Sequence, residues 1–434
     1  MADQPGAGLP ASVLPVLGGP RGRRAVPPRP GAVLAVLALL AAVPVGFAVL
    51  RQRHCLQEGW GGSAPLWRAC YSDLVTSVQT AGLGRGLPAY LAGEVTLDQP
   101  VLSGSVMTLV AAVVPGGDLL ATQRWYLVAW AVLAAAAVAL TALLVATTRG
   151  HSPDPLQVVL SPVVALGVLL SPDVLGVALA TGGIWAWSRR RPALAGALLG
   201  LGVMTRTHPL LVVAVLALHA VRARRERDLA PLLLGAVLAA AVVAAPFLVA
   251  APGTLTQAWS TWWGGAAGLG SPWYLPTLAG HPLPGAVVTG LAVGGWALAL
   301  GLAAVLALGA PRVPPVGPVV LVALAVVLVT GSSFPVQASL WLVPLVAVSG
   351  LRWRDHLGWA GAEAVHFVAV WLYVGGLGAA DRALPPGWYA VALLVRLAAV
   401  GWLARCAWRA ATAEDRFAGE VPATGRSLPP VPHA

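Results

Sequence analysis

The chain has 434 residues, of which 58% are hydrophobic and only 10% are charged, and its formal net charge is +11. Soluble domains carry roughly 25% charged residues, so this composition excludes an ordinary soluble protein. Repeated apolar runs approach the length needed to cross about 30 Å of hydrocarbon. The sequence therefore predicts an all-α polytopic membrane protein whose first partner is the lipid bilayer.

The positive charge comes from arginines that cluster between the apolar runs. In a membrane protein such clusters set the topology, so we expect no nucleic-acid partner. Residues 1–30 are rich in proline and glycine and are predicted to form a disordered cytoplasmic N-terminus. The apolar stretch 31–50 follows four arginines and predicts a first transmembrane helix that enters from the cytoplasm.

The chain beyond that helix divides into a first outer loop, 51–124, and a further series of predicted spans. In the loop, the short run 101–115 is predicted to lie on the outer surface or to dip into it as an amphipathic helix. Together with the first helix, the spans give about twelve crossings in a transmembrane domain of 31–405. They lie at 125–147, 156–171, 173–187, 193–204, 209–221, 229–251, 284–309, 318–331, 338–350, 358–377 and 388–405. Several are shorter than about 17 residues and must be thin, broken or shielded by neighbours. Residues 406–434 are predicted to form a disordered cytoplasmic tail, so both termini lie inside.

The distribution of arginines supports this count of spans. With twelve crossings, the arginine clusters 189–191 and 222–225 fall in cytoplasmic turns, as the positive-inside rule requires. The remaining polar segments then reach one extracytoplasmic face. They are Asp73, the turn 171–173, the segment 205–209, the tryptophan-rich outer loop 252–283, and the segment 333–337 with Gln337. Polar groups are scarce in this chain, so their convergence predicts a site at that interface.

Two aspartates in these segments have both a structural and a functional interpretation. Asp73 follows Ser72, and either residue could cap a helix. Alternatively, the Asp73 carboxylate could accept a proton in a cleft of low dielectric. Asp173 follows Pro172 at a predicted helix start, where a carboxylate meets free N–H groups. Capping and a role in the site therefore both stay open for Asp173.

Arg206 and His208 interrupt an apolar run. An arginine at the membrane interface needs an anion, either a lipid headgroup or the phosphate of a bound substrate. The outer loop contains Trp262, Trp273 and Tyr274, which could form an interfacial aromatic belt or stack on a sugar or a prenyl chain.

Four further residues allow structural predictions. Cys55 and Cys70 could form a disulfide worth about 3 kcal/mol in an extracytoplasmic loop, or could remain two thiols. Glu363 and Arg396 could form an ion pair between two helices or a proton path. Cysteine spacing typical of a metal site is missing from the sequence.

The order of these segments resembles that of GT-C-type membrane glycosyltransferases. The similarity is to the actinobacterial branch related to polyprenyl-phosphate-mannose-dependent mannosyltransferases. It covers roughly residues 31–405. The matching stretches are Tyr71-Ser72-Asp73-Leu74, Pro100-Val101-Leu102-Ser103-Gly104, Ser161-Pro162 with Asp173, Gly200-Leu201-Gly202 with Thr205-Arg206-Thr207-His208-Pro209, Gly270-Ser271-Pro272-Trp273-Tyr274, Gln337 with Leu340-Trp341-Leu342-Val343-Pro344, and Trp353-Arg354 up to Glu363.

The resemblance implies a GT-C-like fold and an inverting sugar transfer at the outer face of a bacterial cytoplasmic membrane. The donor would be a polyprenyl-phosphate-linked sugar, mannose being the first expectation, and the acceptor a glycolipid or a cell-envelope glycan. Asp73 matches the family's catalytic base. Arg206 and His208 would contact the donor phosphate, with Asp173, Gln337 and the tryptophan-rich loop around them. No cofactor is implied, and a requirement for a divalent metal stays open.

Three positions depart from the family pattern, in which Tyr-Pro is common where this chain has Gln99-Pro100. Relatives also commonly have Lys and Tyr where this chain has Arg206 and His208. Arg keeps the charge of Lys but changes its geometry. A transporter or lipid flippase and a non-catalytic member of the fold are the alternative interpretations.

Overall fold

The computed structural model describes residues 30–149, 153–260, 265–378 and 383–412. Within these ranges every regular element is a helix and no strand occurs. Six of the helices are long and apolar enough to cross a membrane: Gly31–Arg51, Leu119–Thr147, Glu226–Ala250, Gly285–Gly309, Trp353–Gly376 and Pro386–Thr412. The chain is therefore an all-α, multi-pass membrane protein. Trp262 and most of the predicted terminal tails lie outside the described residues.

Twelve α-helices lie in the first half of the described chain, and the five between residues 53 and 118 have at most 12 residues each. They are α1 Pro30–Leu40, α2 Ala42–Arg51, α3 Arg53–Glu58, α4 Ala64–Trp67, α5 Asp73–Thr80, α6 Gly86–Leu91, α7 Val101–Ala112, α8 Leu119–Thr147, α9 Leu156–Val159, α10 Pro162–Gly167, α11 Asp173–Ser188 and α12 Pro192–Val203.

The second half contains most of the long helices. They and their neighbours are α13 Pro209–Arg222, α14 Leu229–Ala250, α15 Pro252–Ser260, α16 Leu275–Leu278, α17 Gly285–Gly309, α18 Val316–Thr330, α19 Val343–Val348, α20 Trp353–Gly376 and α21 Pro386–Thr412. Short 3₁₀ helices lie at Leu83–Arg85, Glu226–Asp228, Pro272–Tyr274 and Val336–Trp341.

Two of the predicted spans are broken rather than continuous. The predicted span 156–171 consists of α9 and α10, separated at Leu160 and Ser161 because Pro162 begins a new helix. The predicted span 338–350 consists of the 3₁₀ helix Val336–Trp341 followed by α19. Several others form single helices of 12 to 16 residues, which are too short to cross about 30 Å unaided.

Helices α12 and α14 approach each other closely through glycines. A Cβ atom added to Gly196 would lie 1.9 Å from the carbonyl oxygen of Leu232, and one added to Gly200 would lie 2.1 Å from that of Ala236. Gly235 faces the carbonyl oxygen of Ala193 in the same way. Small residues let helix backbones approach this closely in membranes, so these glycines define the crossing.

The segment after the first helix is held in a compact arrangement by a disulfide bond between Cys55 and Cys70, whose Cα atoms are 6.0 Å apart. Helix α7 has 12 residues and a length of about 18 Å, which is less than the hydrocarbon thickness. Its first turn is joined to the segment that precedes α13, because the Leu102 N–H donates to the Met204 carbonyl oxygen at 3.1 Å.

The C-terminal helix corrects one predicted boundary. Helix α21 continues to Thr412, so residues 406–412 are helical rather than part of a disordered tail. Leu403, Ala407 and Ala411 are buried at regular helical spacing, which extends the packed face of the helix beyond the predicted end of the span.

Candidate functional site

Asp73 is fixed at the first turn of α5 by bonds to a distant segment. Its backbone N–H donates to the Leu170 carbonyl oxygen at 2.9 Å, and the Ser72 hydroxyl donates to the Leu169 carbonyl oxygen at 2.6 Å. Ser72 is the N-cap residue, yet α5 has no side-chain capping hydrogen bond. Ser72 rather than Asp73 therefore occupies the N-cap position, and Asp73 lies in the first turn of α5.

Asp173 forms the charged centre of the same region. Arg206 donates from Nε to Oδ1 at 2.6 Å and from Nη2 to Oδ2 at 3.5 Å, and the Ser171 hydroxyl donates to Oδ2 at 2.9 Å. Helix α11 begins at Asp173, which lies in its first turn after the N-cap residue Pro172. Asp173 is buried and Arg206 is 27% exposed, so Asp173 directs the guanidinium towards a partly open space.

His208 lies next to Trp341, with 5.1 Å between the ring centroids in an edge-on arrangement. His208 Nδ1 and Trp341 Nε1 are buried and have no hydrogen-bond partner among the described residues. Burial lowers the pKa of His208 to about 4, so the imidazole is neutral near pH 7. The pair therefore presents two polar ring nitrogens that a bound ligand could engage.

Gly176 permits this arrangement. A Cβ atom on Gly176 would lie 2.3 Å from the Thr205 hydroxyl oxygen and 2.5 Å from the Trp341 ring. Any larger residue would push α11 away from Thr205 and Trp341. A glycine is thus required where the three segments meet.

The pKa of the Asp73 carboxyl is raised above its ordinary value, principally by burial. A hydrogen bond from Tyr71 and the positive charge of Arg206 oppose that shift, while the negative charge of Asp173 adds to it. These influences place Asp73 within electrostatic reach of the Asp173–Arg206 pair. A carboxylate with a raised pKa is a better proton acceptor, as a general base requires.

Tyr71 connects this site to the far end of α20. Its ring lies 5.1 Å from that of Trp371, and burial followed by the nearby Asp73 charge raises the pKa of its hydroxyl. Tyr71 therefore remains protonated at physiological pH and can donate to Asp73.

Tyr274 belongs to a neighbouring cluster that also contains Tyr373 and Tyr389. Trp273 precedes it in the 3₁₀ helix Pro272–Tyr274. Trp273 Nε1 donates to the Thr330 carbonyl oxygen at 2.9 Å. The Tyr274 and Tyr373 hydroxyls are 3.4 Å apart. These contacts fasten the loop to helices α18 and α20, and none of the described contacts joins the two residues to Asp73. Gln337 is half-buried in the 3₁₀ helix that ends at Trp341.

The predicted ion pair between Glu363 and Arg396 is confirmed. Arg396 Nε donates to Glu363 Oε2 at 2.9 Å, and Nη2 donates to the Ser339 hydroxyl at 2.9 Å and to the Pro335 carbonyl oxygen at 3.2 Å. The guanidinium also lies 3.5 Å from the centroid of the Phe334 ring. Arg396 thereby joins α21 to α20 and to the segment that leads to Trp341.

Sequence reasoning identified Asp73, Asp173, Arg206 and His208, and the structure brings these four together. The sequence places Ser171 in a polar turn of the predicted site and Trp341 in a stretch that resembles the family, but it does not indicate their contacts with Asp173 and His208.

Comparison with models of known protein families and with curated proteins identifies no match to this chain.

Proposed function

We propose that the chain is an inverting glycosyltransferase that moves a sugar, with mannose as the first candidate, from a polyprenyl-phosphate donor to a lipid or cell-envelope glycan acceptor. Asp73 is the catalytic base. The observation that carries the proposal is the Asp73 carboxylate, which lies in the first turn of α5 and has a raised pKa beside the Asp173–Arg206 pair.

In the proposed reaction, Asp73 takes the proton of an acceptor hydroxyl as that oxygen attacks the anomeric carbon. The bond between that carbon and the donor phosphate oxygen breaks, and the polyprenyl phosphate leaves with the bonding electrons. No covalent enzyme intermediate is needed because lipid phosphate is a good leaving group. One displacement inverts the anomeric configuration.

Arg206 stabilises the departing phosphate in this scheme. Asp173 occupies Nε and Nη2 of the guanidinium, whereas Nη1 forms no hydrogen bond among the described residues. An arginine donor aimed at developing negative charge is a common source of transition-state stabilisation. The role of Asp173 is thus to orient Arg206 rather than to contact the sugar.

The proposal places the site at the outer face of a bacterial cytoplasmic membrane, in a chain of about twelve crossings with both termini inside. A disulfide bond in the loop that contains Asp73 is typical of an oxidising compartment, which supports this orientation. The arginine clusters near residues 149, 190 and 225 lie together at a different end of α11 and α13. Their separation from Asp73 agrees with cytoplasmic placement of the arginines.

The direct test is sugar transfer from a labelled polyprenyl-phosphate sugar in membranes that contain wild type or Asp73→Asn. Loss of a general base reduces rates by about 10²–10⁴-fold, and we expect a decrease in that range. Asp98→Asn is the matched control because Asp98 is an exposed aspartate in the same loop. Equal transfer by wild type and Asp73→Asn would refute the assignment of the base. Movement of label across the bilayer without a new glycosidic bond would favour a transporter.

A further inference from the structure

A polar cavity lies at the C-terminal ends of α11 and α13, away from Asp173 and Arg206. It has a volume of about 300 Å³, and its lining includes Arg149, Ser188, Arg190, His219 and Arg225, together with residues 313–317. Trp187 is 14 residues beyond Asp173 in α11, which corresponds to about 21 Å along the helix axis. The cavity is therefore distinct from the region around Asp73.

The charges of this cavity are unbalanced. The guanidinium groups of Arg149 and Arg190 form no ion pair among the described residues, and no carboxylate lines the cavity there. Arg225 is balanced by Asp228, with 2.7 Å between Nε and Oδ2, and its guanidinium lies 4.7 Å from the centroid of the Trp187 ring. Two uncompensated positive charges thus border a space large enough for a polar headgroup.

The remaining groups of the cavity can donate hydrogen bonds. Helix α18 begins at Val316, and its first amides have no intrahelical acceptor. Its positive helix end faces the cavity through Val316 and Gly317. Trp187 Nε1 donates to His219 Nδ1 at 3.4 Å, which sets the orientation of that imidazole. Guanidinium groups and helix amides together are a typical donor set for phosphate.

We propose that this cavity binds a phosphate-bearing anion, either the headgroup of an anionic lipid or a soluble phosphate compound. Basic pockets between membrane helices are a known way of recognising anionic headgroups. This binding is independent of sugar transfer, because none of the lining residues belongs to the region around Asp73.

The test compares wild type with the double variant Arg149→Gln/Arg190→Gln, reconstituted in phosphatidylcholine with a minor fraction of phosphatidylglycerol. Native mass spectrometry measures how strongly each protein retains phosphatidylglycerol over phosphatidylcholine. Both arginines are exposed, so the double variant should fold. We expect its preference for the anionic lipid to fall about tenfold, because two charge-assisted contacts are lost.

The matched control is Arg224→Gln/Arg227→Gln, which removes the same charge near the same helix ends from exposed residues that do not line the cavity. We expect it to keep the preference of wild type. An equal loss in both double variants, or no loss in either, would overturn the proposal, because the effect would then reflect general surface charge.

Inorganic phosphate distinguishes the two sources of the anion. Protection of wild type from thermal unfolding by inorganic phosphate in neutral detergent, absent in Arg149→Gln/Arg190→Gln, would assign the cavity to a soluble phosphate compound. Retention of phosphatidylglycerol without such protection would assign it to a lipid headgroup.

Discussion

At the scale of single residues, the charge state of Asp73 is the property on which the proposed chemistry depends. Burial raises its pKa, whereas the Tyr71 hydrogen bond and Arg206 stabilise the ionised form. A base acts only when it is ionised, so activity should disappear as the pH falls through the raised pKa of Asp73. The neighbours of Asp73 therefore set the acid limit of the reaction.

Tyr71→Phe should move this acid limit to higher pH. The substitution removes the hydrogen bond that favours the Asp73 carboxylate but keeps a ring to contact Trp371. We expect the acid limb of kcat/KM to shift upward by roughly half to one pH unit, the size of a typical net hydrogen bond.

Tyr90→Phe is the control for that shift, because the buried Tyr90 hydroxyl has no hydrogen-bond partner among the described residues. Its pH profile should match that of wild type. An acid limb that stays in place in Tyr71→Phe, or that moves to lower pH, would contradict the role given to Tyr71.

At the scale of helices, two kinds of contact hold the bundle together. One is the crossing of α12 and α14, where backbone carbonyl oxygens lie so close to the glycines that they leave no room for a side chain. The other is the buried pair of Glu363 and Arg396, which joins α20 to α21. Each contact predicts a specific loss of stability.

Gly200→Val should separate α12 from α14, because the Ala236 backbone cannot move aside for a side chain. We expect a loss of about 1–3 kcal/mol or more, as for other overpacked sites. It would be measured as a lower midpoint of thermal unfolding in detergent. Gly294→Val is the control, since nothing lies within 4 Å of a Cβ atom at Gly294. Equal midpoints for the two variants would refute the proposed crossing.

Arg396→Met should destabilise the protein by about 3–5 kcal/mol, because it leaves the buried Glu363 without its cation. Adding Glu363→Met should restore part of the loss, since the double variant buries no unpaired carboxylate. The recovery is incomplete because Arg396 also bonds to Ser339 and Pro335. Thermal unfolding of the two variants provides the test, and a double variant less stable than Arg396→Met would argue against the ion pair as the cause.

At the scale of the whole molecule, the two polar ends of the bundle should face different compartments. Thr80 is exposed beyond the Asp73 turn, and Arg227 is exposed near the arginine-lined cavity. In a Cys406→Ser background, Thr80→Cys should react with a membrane-impermeant maleimide in intact cells. Arg227→Cys should react only after the membrane is permeabilised. Labelling of both sites in intact cells would contradict the orientation.

The sequence predicts the long helices and the buried ion pair because both depend on local composition. Apolar runs indicated the long helices, and the scarcity of charge in hydrocarbon indicated the pair of Glu363 and Arg396. The sequence predicts that several short spans are thin, broken or shielded, but a short apolar run does not reveal that the break in 156–171 lies at Leu160 and Ser161. The contact between His208 and Trp341 was missed because it depends on tertiary packing around Gly176, which local patterns do not encode.

The five residues from Leu169 to Asp173 fix both carboxylates of the candidate site. Asp73 is tied to this strip through its backbone bond to Leu170, and Asp173 is its last residue. The number of residues between Leu170 and Asp173 consequently sets the distance between the Asp73 and Asp173 backbones. One residue inserted between Leu170 and Asp173 would move Asp173 relative to Asp73 by up to about 3.8 Å, although every side chain of the site would still be present.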